Sequence, residues 1–271
     1  FAEVGAVTPK PQKGNKKPRL FRIKDEQAII NHLGFNNDGM IKINKRLSNY
    51  GGECVLGINI GANRTSGNMN ADFSKVLLHC ADNVDFITIN ISSPNTASLR
   101  KLQEQGHIEQ LLSDVMLTSK NISNVKPVFI KIAPDLNISQ LEVIVNICLE
   151  YKLSGIIATN TSNDSSILRE RKNYSKGGIS GRPLFFKSTK ILAQLYEISE
   201  GKIPLIGVGG VASGKDALEK IRAGATAVQL YSALTFNGPS LIGTILKDLD
   251  IQLKDYGYQN VKEAVGTKKF V

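Results

Sequence analysis

The sequence predicts an α/β fold, a (β/α)8 barrel, and three observations carry that prediction. Seven short runs rich in Ile and Val recur along the 271 residues, at 3–7, 55–60, 86–91, 128–132, 155–158, 205–208 and 227–230. Amphipathic stretches with helical spacing separate them. Polar side chains then cluster just after the runs, where a barrel of this kind carries its active site.

Short continuous apolar runs bounded by Gly, Asn, Pro or Ser suit strands buried on both faces of a parallel sheet. Between them, Phe73, Val76, Leu77 and Cys80 share one helical face, and Leu141, Ile144, Val145, Cys148 and Leu149 share another. Ser139 and Glu142 form the pattern of a capping box at the start of the second helix. Ile191, Leu192, Leu195 and Ile198 repeat the spacing, as do Leu218 and Ile221, with Gly224 placed as a C-terminal stop. The last long helix carries Leu241, Ile242, Ile245, Leu246, Leu249 and Leu253. Strand–helix alternation implies a parallel sheet, open or closed into a barrel. Closure takes eight strands, and because the first run starts at the third residue, the remaining strand is expected ahead of Phe1. The stretches 9–31 and 162–178 read as long loops. No linker or low-complexity segment interrupts the chain, so residues 1–271 read as one domain.

Composition narrows the function classes. Hydrophobic residues make up 41% and charged residues 21%, ordinary for a soluble globular protein. A chain this long buries a substantial core without disulfides or metals. Cys54, Cys80 and Cys148 are odd in number, widely spaced and free of any Cys-x-x-Cys. That argues against a disulfide framework or zinc site and fits a reducing compartment, with each cysteine a small buried apolar residue. His32, His79 and His107 are scattered and form no metal-ligand motif.

The net charge is +10, with much of the excess in Lys10, Lys13, Lys16, Lys17, Arg19, Arg22 and Lys24. Pro9, Pro11, Gly14, Asn15 and Pro18 mark that stretch as a solvated loop. Phe21 is its one aromatic, so it offers no stacking platform, and no nucleic-acid partner is expected. No apolar run approaches the roughly 18 residues of a spanning helix. The opening Phe-Ala-Glu-Val-Gly is neither a start methionine nor a signal peptide, and reads as a truncated or processed end.

The strand ends carry the chemistry. Asn59 follows Leu56-Gly57-Ile58, Asn90 interrupts an Ile-rich run, and Lys131 follows Val128-Phe129-Ile130. Thr159, Asn160 and Thr161 follow Ile156-Ile157-Ala158, and Tyr231 and Ser232 follow Val228-Gln229-Leu230. One such residue would mean little; five strands ending this way argue for a ligand site. Gly207-Val208-Gly209-Gly210 precedes a helix beginning near Ser213. Glycines let backbone N–H groups approach an anion, and a helix N-terminus adds a positive field. With Gly224-Ala225 and Tyr231-Ser232 this makes a phosphate cradle where barrels commonly hold one; a tight turn that binds nothing is the alternative.

Lys131 would point its charge into the barrel mouth, to form a Schiff base or to stabilise a developing anion. Both roles stay open on spacing alone, and a phosphate-binding barrel lyase or isomerase using Lys131 without a further cofactor is one function the pattern allows. Asn90-Ile91-Ser92-Ser93-Pro94-Asn95-Thr96 offers neutral donors and acceptors without charge, which suits a planar ligand with ring amides. There is no His-based triad and no carboxylate pair, and Asp135 after Pro134 reads as a helix or turn cap.

Further motifs are Val7-Thr8-Pro9-Lys10-Pro11-Gln12, Pro18-Arg19-Leu20-Phe21-Arg22, Gly34-Phe35-Asn36-Asn37, Lys131-Ile132-Ala133-Pro134-Asp135-Leu136, Gly178-Ile179-Ser180-Gly181 and Gln229-Leu230-Tyr231. With the segments above, they resemble the class 2 dihydroorotate dehydrogenases along nearly the whole chain. Class 1 relatives use Cys as base where this chain has Ser93. The resemblance implies a (β/α)8 barrel holding FMN that oxidises dihydroorotate to orotate in pyrimidine biosynthesis and passes electrons to ubiquinone.

It also implies roles for particular residues. Ser93 would take the C5 proton of the substrate, activated through a Thr or water relay. Asn31, Asn90, Asn95, Asn160 and Thr161 would hydrogen-bond the substrate, with Gly34 and Phe35 shaping a lid. Asn59, Asn90, Lys131 and Thr159 would contact FMN, and Lys131 would offset charge on the reduced flavin. Gly181, Gly209, Gly210, Tyr231 and Ser232 would hold its phosphate, and Arg22 and Tyr231 would face the quinone. Ala6 stands where relatives usually carry Ser or Thr, which would remove one flavin contact. The family's first barrel strand and its N-terminal helical hairpin, which touches the membrane, are expected to be absent from this chain. The run 216–225 is similar to animal members, pointing to a mitochondrial inner membrane, with the cytoplasmic face of a bacterial inner membrane as the alternative.

Overall fold

The computed structural model describes residues 1–93, 103, 105–169 and 177–268. In chain order the elements are β1 (Ala2–Val7), β2 (Leu20–Ile23), β3 (Ala28–Asn31), α1 (Met40–Leu47), β4 (Leu56–Ile60), α2 (Met69–Cys80), β5 (Phe86–Asn90), α3 (Gln105–Lys120), β6 (Val128–Ile132) and α4 (Ile138–Glu150). They continue with β7 (Gly155–Ala158), β8 (Gly178–Gly181), α5 (Phe185–Ile198), β9 (Leu205–Val208), α6 (Gly214–Arg222), β10 (Ala227–Gln229), α7 (Ser232–Asn237), α8 (Leu241–Asp255) and α9 (Val261–Ala264).

Seven strands form one parallel sheet in the order β1-β4-β5-β6-β7-β9-β10. Each corresponds to one of the seven expected runs, with differences only at the ends. Side chains alternate across a strand, and here the two faces are chemically distinct. Ile58, Ile60, Ile87, Ile89, Ile130 and Ile132 face outward and are fully buried against Phe73, Val76 and Leu77 of α2, Ile108 and Leu111 of α3, and Leu141 and Ile144 of α4. Fully burying each such side chain contributes about 1.5–3 kcal/mol.

The inner face starts with an aromatic floor. The Phe86 and Phe129 rings meet edge to face at 5.7 Å, and Phe1 meets Phe86 at 5.8 Å. A Cβ on Gly57 would run into the Phe86 ring, so Gly57 is what lets the floor close.

The stretch 9–31 expected as a loop contains two strands of a second sheet, and the stretch 162–178 runs into its third. β2 and β3 form an antiparallel hairpin, and β8 pairs antiparallel with β3. Ala28, Ile30, Leu168 and Ile179 make its small core, with Phe21, Ile23 and Ile167 packed alongside. Its strands of four residues are interrupted by Arg22 and Ser180, so their periodicity is too short to stand out. Gln27, at φ 48, closes the hairpin in the left-handed region.

Three smaller expectations are corrected. The capping box of α4 is made by Asn137 and Gln140, each side chain bonding the other's backbone N–H, and not by Ser139 and Glu142. Asp135 is not a helix cap. It accepts from Ser162 Oγ at 2.6 Å and Asn163 N at 3.2 Å, and pairs with Lys187 Nζ at 2.6 Å, tying the loop after β6 to the loop after β7 and to α5. Cys54 is exposed, whereas Cys80 and Cys148 are buried, where burial pushes both thiols up to about 12. Gly224, at φ 114, follows α6 as expected. Among the described residues no helix is long and apolar enough to cross a membrane.

Candidate active site

The C-terminal ends of the parallel strands open into a cavity of about 270 Å³, roofed by β3 and β8 of the small sheet and by α7. Ten expected site residues line it: Asn31, Lys131, Thr159, Asn160, Thr161, Gly181, Gly209, Gly210, Tyr231 and Ser232. They come from six separate segments: the parallel topology brings the four at the ends of β6, β7, β9 and β10 to one end of the sheet, and the small antiparallel sheet supplies Asn31 and Gly181.

A chain of hydrogen bonds runs up the inner face toward this cavity. It starts at Glu3, whose carboxylate accepts from Asn59 Nδ2 at 2.8 Å, Thr88 Oγ1 at 2.7 Å and Gln229 Nε2 at 3.3 Å. Asn90 Nδ2 donates to Asn59 Oδ1 at 2.8 Å. Asn160 Nδ2 donates to Asn90 Oδ1 at 3.2 Å and to Ser92 Oγ at 3.0 Å. A carboxylate only accepts, so Glu3 forces Asn59 to present its NH2 downward and its oxygen to Asn90. The same logic turns the Asn90 oxygen toward Asn160. One acidic residue thereby orients three amides.

Lys131 follows from strand alternation. Phe129 and Lys131 share the inner face of β6, and Lys131 pairs in register with Asn90 and Ile157. The residue is half-buried and lines the cavity.

The turn expected to cradle an anion is shaped by glycine. Gly209 and Gly210 have φ 116 and 76. A Cβ on Gly209 would lie 2.7 Å from Ser188 Oγ, and one on Gly210 would lie 2.7 Å from the Phe185 backbone nitrogen. Both positions therefore need a backbone that other residues rarely adopt and space that a side chain would fill. Gly181, at φ 91, borders the same cavity, and Ser232 Oγ donates to Ser180 Oγ at 2.8 Å. Tyr231 stands at the rim, 83% exposed. Nearby, the Arg22 guanidinium lies 5.9 Å from the ring centre of Phe236, which lines the cavity.

Other expected residues sit elsewhere. Asn59 and Asn90 lie in the hydrogen-bond chain beneath the cavity. Ser93 is buried just past the end of β5, and Asn95 falls outside the described residues. Ala6 lies at the irregularity in β1 where pairing with β4 shifts register. Gly34 and Phe35 follow β3, with both carbonyls accepting from Gln12 Nε2, and the Phe35 ring covers Gly61. His79 and His107 are exposed on α2 and α3, away from the cavity lining.

Glu3 and the small-sheet lining residues Leu20, Gln27, Ile29 and Ser180 are not among the residues expected at the site. For Glu3 the available signal was a lone carboxylate in an apolar strand. For the hairpin it was two short apolar runs flanking the polar turn Lys24-Asp25-Glu26-Gln27.

Comparison with known proteins agrees with this geometry. Residues 1–253 match the dihydroorotate dehydrogenase family. The chain is 48% identical over 268 residues to a dihydroorotate dehydrogenase (quinone) of Cereibacter sphaeroides, covering 98% of this chain and 76% of that protein. It is 45% identical over 274 residues to the enzyme of the same name from Rhodopseudomonas palustris, covering 98% and 75%. A crystal structure of DHODH from Eimeria tenella in complex with ferulenol superposes with a TM-score of 0.92 at 34% identity, over 98% of this chain and 78% of that one. The ligand-free structure from the same organism gives 0.93 at 35% identity, over 98% and 81%. Sequence, fold and strand-end chemistry together place this chain in the dihydroorotate dehydrogenase family, in its class 2, quinone-linked branch.

Proposed function

We infer that the protein oxidises dihydroorotate to orotate with a quinone as final electron acceptor, a step of pyrimidine biosynthesis. The observation that carries this reading is the convergence of an amide and hydroxyl set, one lysine and a glycine cradle on one cavity. Neutral donors and acceptors suit the ring amides of dihydroorotate, and the cradle suits a phosphate monoester. FMN fits on the same grounds. The positive-φ glycines leave bare backbone where its phosphate would sit, and Lys131, Asn59, Asn90 and Thr159 would border its ring. When bound, FMN supplies the acceptor for the substrate's C6 hydride and hands electrons to quinone.

The chain's own residues do the rest. Ser93 takes the C5 proton as the C5–C6 double bond forms and passes its own hydroxyl proton on through a Thr or water relay. Asn31, Asn90, Asn95, Asn160 and Thr161 hold the substrate ring, with Gly34 and Phe35 as part of the lid. Lys131 places a positive charge where negative charge develops. Gly181, Gly209, Gly210, Tyr231 and Ser232 hold the phosphate, while Arg22 and Tyr231 face the quinone approach. Ala6 offers no hydroxyl to the cofactor. Residues 1–271 act as a single FMN-binding domain. The curated relatives named above are bacterial, which favours a bacterial inner membrane as the site of action. The mitochondrial alternative rests on the likeness of 216–225 alone.

An absorbance spectrum of the purified protein, before and after anaerobic dihydroorotate, tests the proposal. Visible flavin bands that bleach on addition, and persist in Ser93→Ala, are the expected result. Bands that persist in the wild type would overturn the substrate, and a colourless protein would overturn the cofactor.

A further inference from the structure

Lys220 is a fully buried lysine near the C-terminal end of α6, with 0% of its surface exposed. Its Nζ donates to Ser188 Oγ at 2.6 Å and lies 5.0 Å from the Phe185 ring centre. No carboxylate lies within ion-pair distance of it among the described residues.

Those two contacts are the walls of the glycine cradle. Ser188 Oγ is the atom a Cβ on Gly209 would strike, and Phe185 is the residue a Cβ on Gly210 would strike. Ser188 Oγ also lies in hydrogen-bond reach of the carbonyls of Leu184, at 2.9 Å, Phe185, at 3.1 Å, and Gly209, at 3.2 Å. A hydroxyl has one proton to give. With Lys220 donating to it, the Ser188 proton is directed to these carbonyls, so Lys220 holds the back of the cradle through one intermediary.

We propose that Lys220 is a positioning residue and buried counter-charge for the cradle, taking up a proton when a phosphate monoester dianion is seated on Gly209 and Gly210. The proposal rests on the reading of this cavity as the FMN site and adds a residue to it. A buried ammonium without a carboxylate is unfavourable, and burial brings the Lys220 pKa down to about 7, with Asp216 acting the other way. A dianion arriving in the same low-dielectric region favours the charged form, and the Phe185 ring face accepts a cation.

Several charged groups on α6 and the elements packed against it have partners of their own. Asp216 accepts from Ala212 N at the start of α6, and Lys187 on α5 pairs with Asp135 and Asp164. Glu219 pairs with Arg222 and Lys268, and Asp248 on α8 accepts from Gly214 N. β9 and β10 carry no charged residue.

The test is a flavin titration of the full chain stripped of cofactor, comparing wild type with Lys220→Met. It uses FMN and riboflavin at about pH 7.5, where the FMN phosphate is already almost wholly a dianion. Wild type is expected to take up protons on binding FMN, measured by calorimetry in two buffers of different ionisation enthalpy. Lys220→Met is expected to lose that uptake and bind FMN roughly threefold more weakly, the effect at that pH of about one pKa unit of coupling, with riboflavin affinity unchanged. Equal FMN affinity and equal proton uptake in the two proteins would overturn the role of Lys220 and leave the cofactor reading intact. Wild type that binds neither flavin would overturn the cofactor reading and this proposal with it. If Lys220→Met does not fold, wild-type titration decides, because no proton uptake at that pH overturns the proposal.

Discussion

The Glu3 carboxylate accepts the Asn59 amide at 2.8 Å, and that single contact sets the direction of the hydrogen bonds climbing to the cavity. The two residues lie on neighbouring strands β1 and β4. Glu3→Gln keeps the shape but can present an NH2 to Asn59, which releases the amide order above it. The expected cost is about 1–3 kcal/mol of stability, with a raised KM for dihydroorotate. Thermal unfolding and steady-state kinetics check this; an unchanged KM would separate the chain of amides from substrate binding.

Lys131 meets its charge only as the reaction proceeds. Lys131→Ala is therefore expected to lower kcat by roughly a hundredfold or more while changing substrate affinity little. Stopped-flow reduction by dihydroorotate measures the first and equilibrium binding of orotate the second. Equal losses in both would assign Lys131 to ground-state binding.

Two glycines provide a matched pair. Gly210 and Gly238 share positive φ, 76 and 73, but a Cβ at Gly210 would strike Phe185 whereas one at Gly238 meets nothing within 4 Å. Both alanine variants should lose about 1–3 kcal/mol to backbone strain. Gly210→Ala alone should also lose bound flavin, measured as the ratio of visible to ultraviolet absorbance. Flavin loss in both, or in neither, would contradict the assignment of the cradle.

Lys187 bridges Asp135 at 2.6 Å and Asp164 at 3.0 Å. The Ser166 hydroxyl and then Lys187 hold Asp164 down at about 2. For Asp135, burial pushes upward but bonds from Lys187, Ser162 and Asn163 outweigh it and leave its pKa lowered. Depressed carboxylate values stabilise the fold above the unfolded pKa, and that contribution is lost as pH falls through the folded values. Lys187→Met should therefore cost about 1–2 kcal/mol at neutral pH, discounted for partial exposure. The gap to wild type should narrow below about pH 4. Urea unfolding at the two pH values measures it, and a gap independent of pH would mean packing alone.

The seven parallel strands were legible because their signal is local. Ile58, Ile60, Ile87, Ile89, Ile130 and Ile132 sit in short apolar runs, and such runs between amphipathic helices admit few arrangements. Much of the site was legible for the same reason. Parallel strands gather their C-terminal ends, so residues such as Lys131, Thr159, Asn160 and Ser232 converge wherever the helices pack.

What sequence order could not convey depends on partners far apart in the chain. β3 finds β8 through Asn31 and Gly178, 147 positions away, and Glu3 reaches Gln229 across 226. Lys220 is the sharpest case. A lysine on a nine-residue helix is ordinarily solvated, and no local pattern marks it as buried. α5 packs over it and replaces water with Ser188 and Phe185, so its charge state is decided by side chains that only the folded chain brings together.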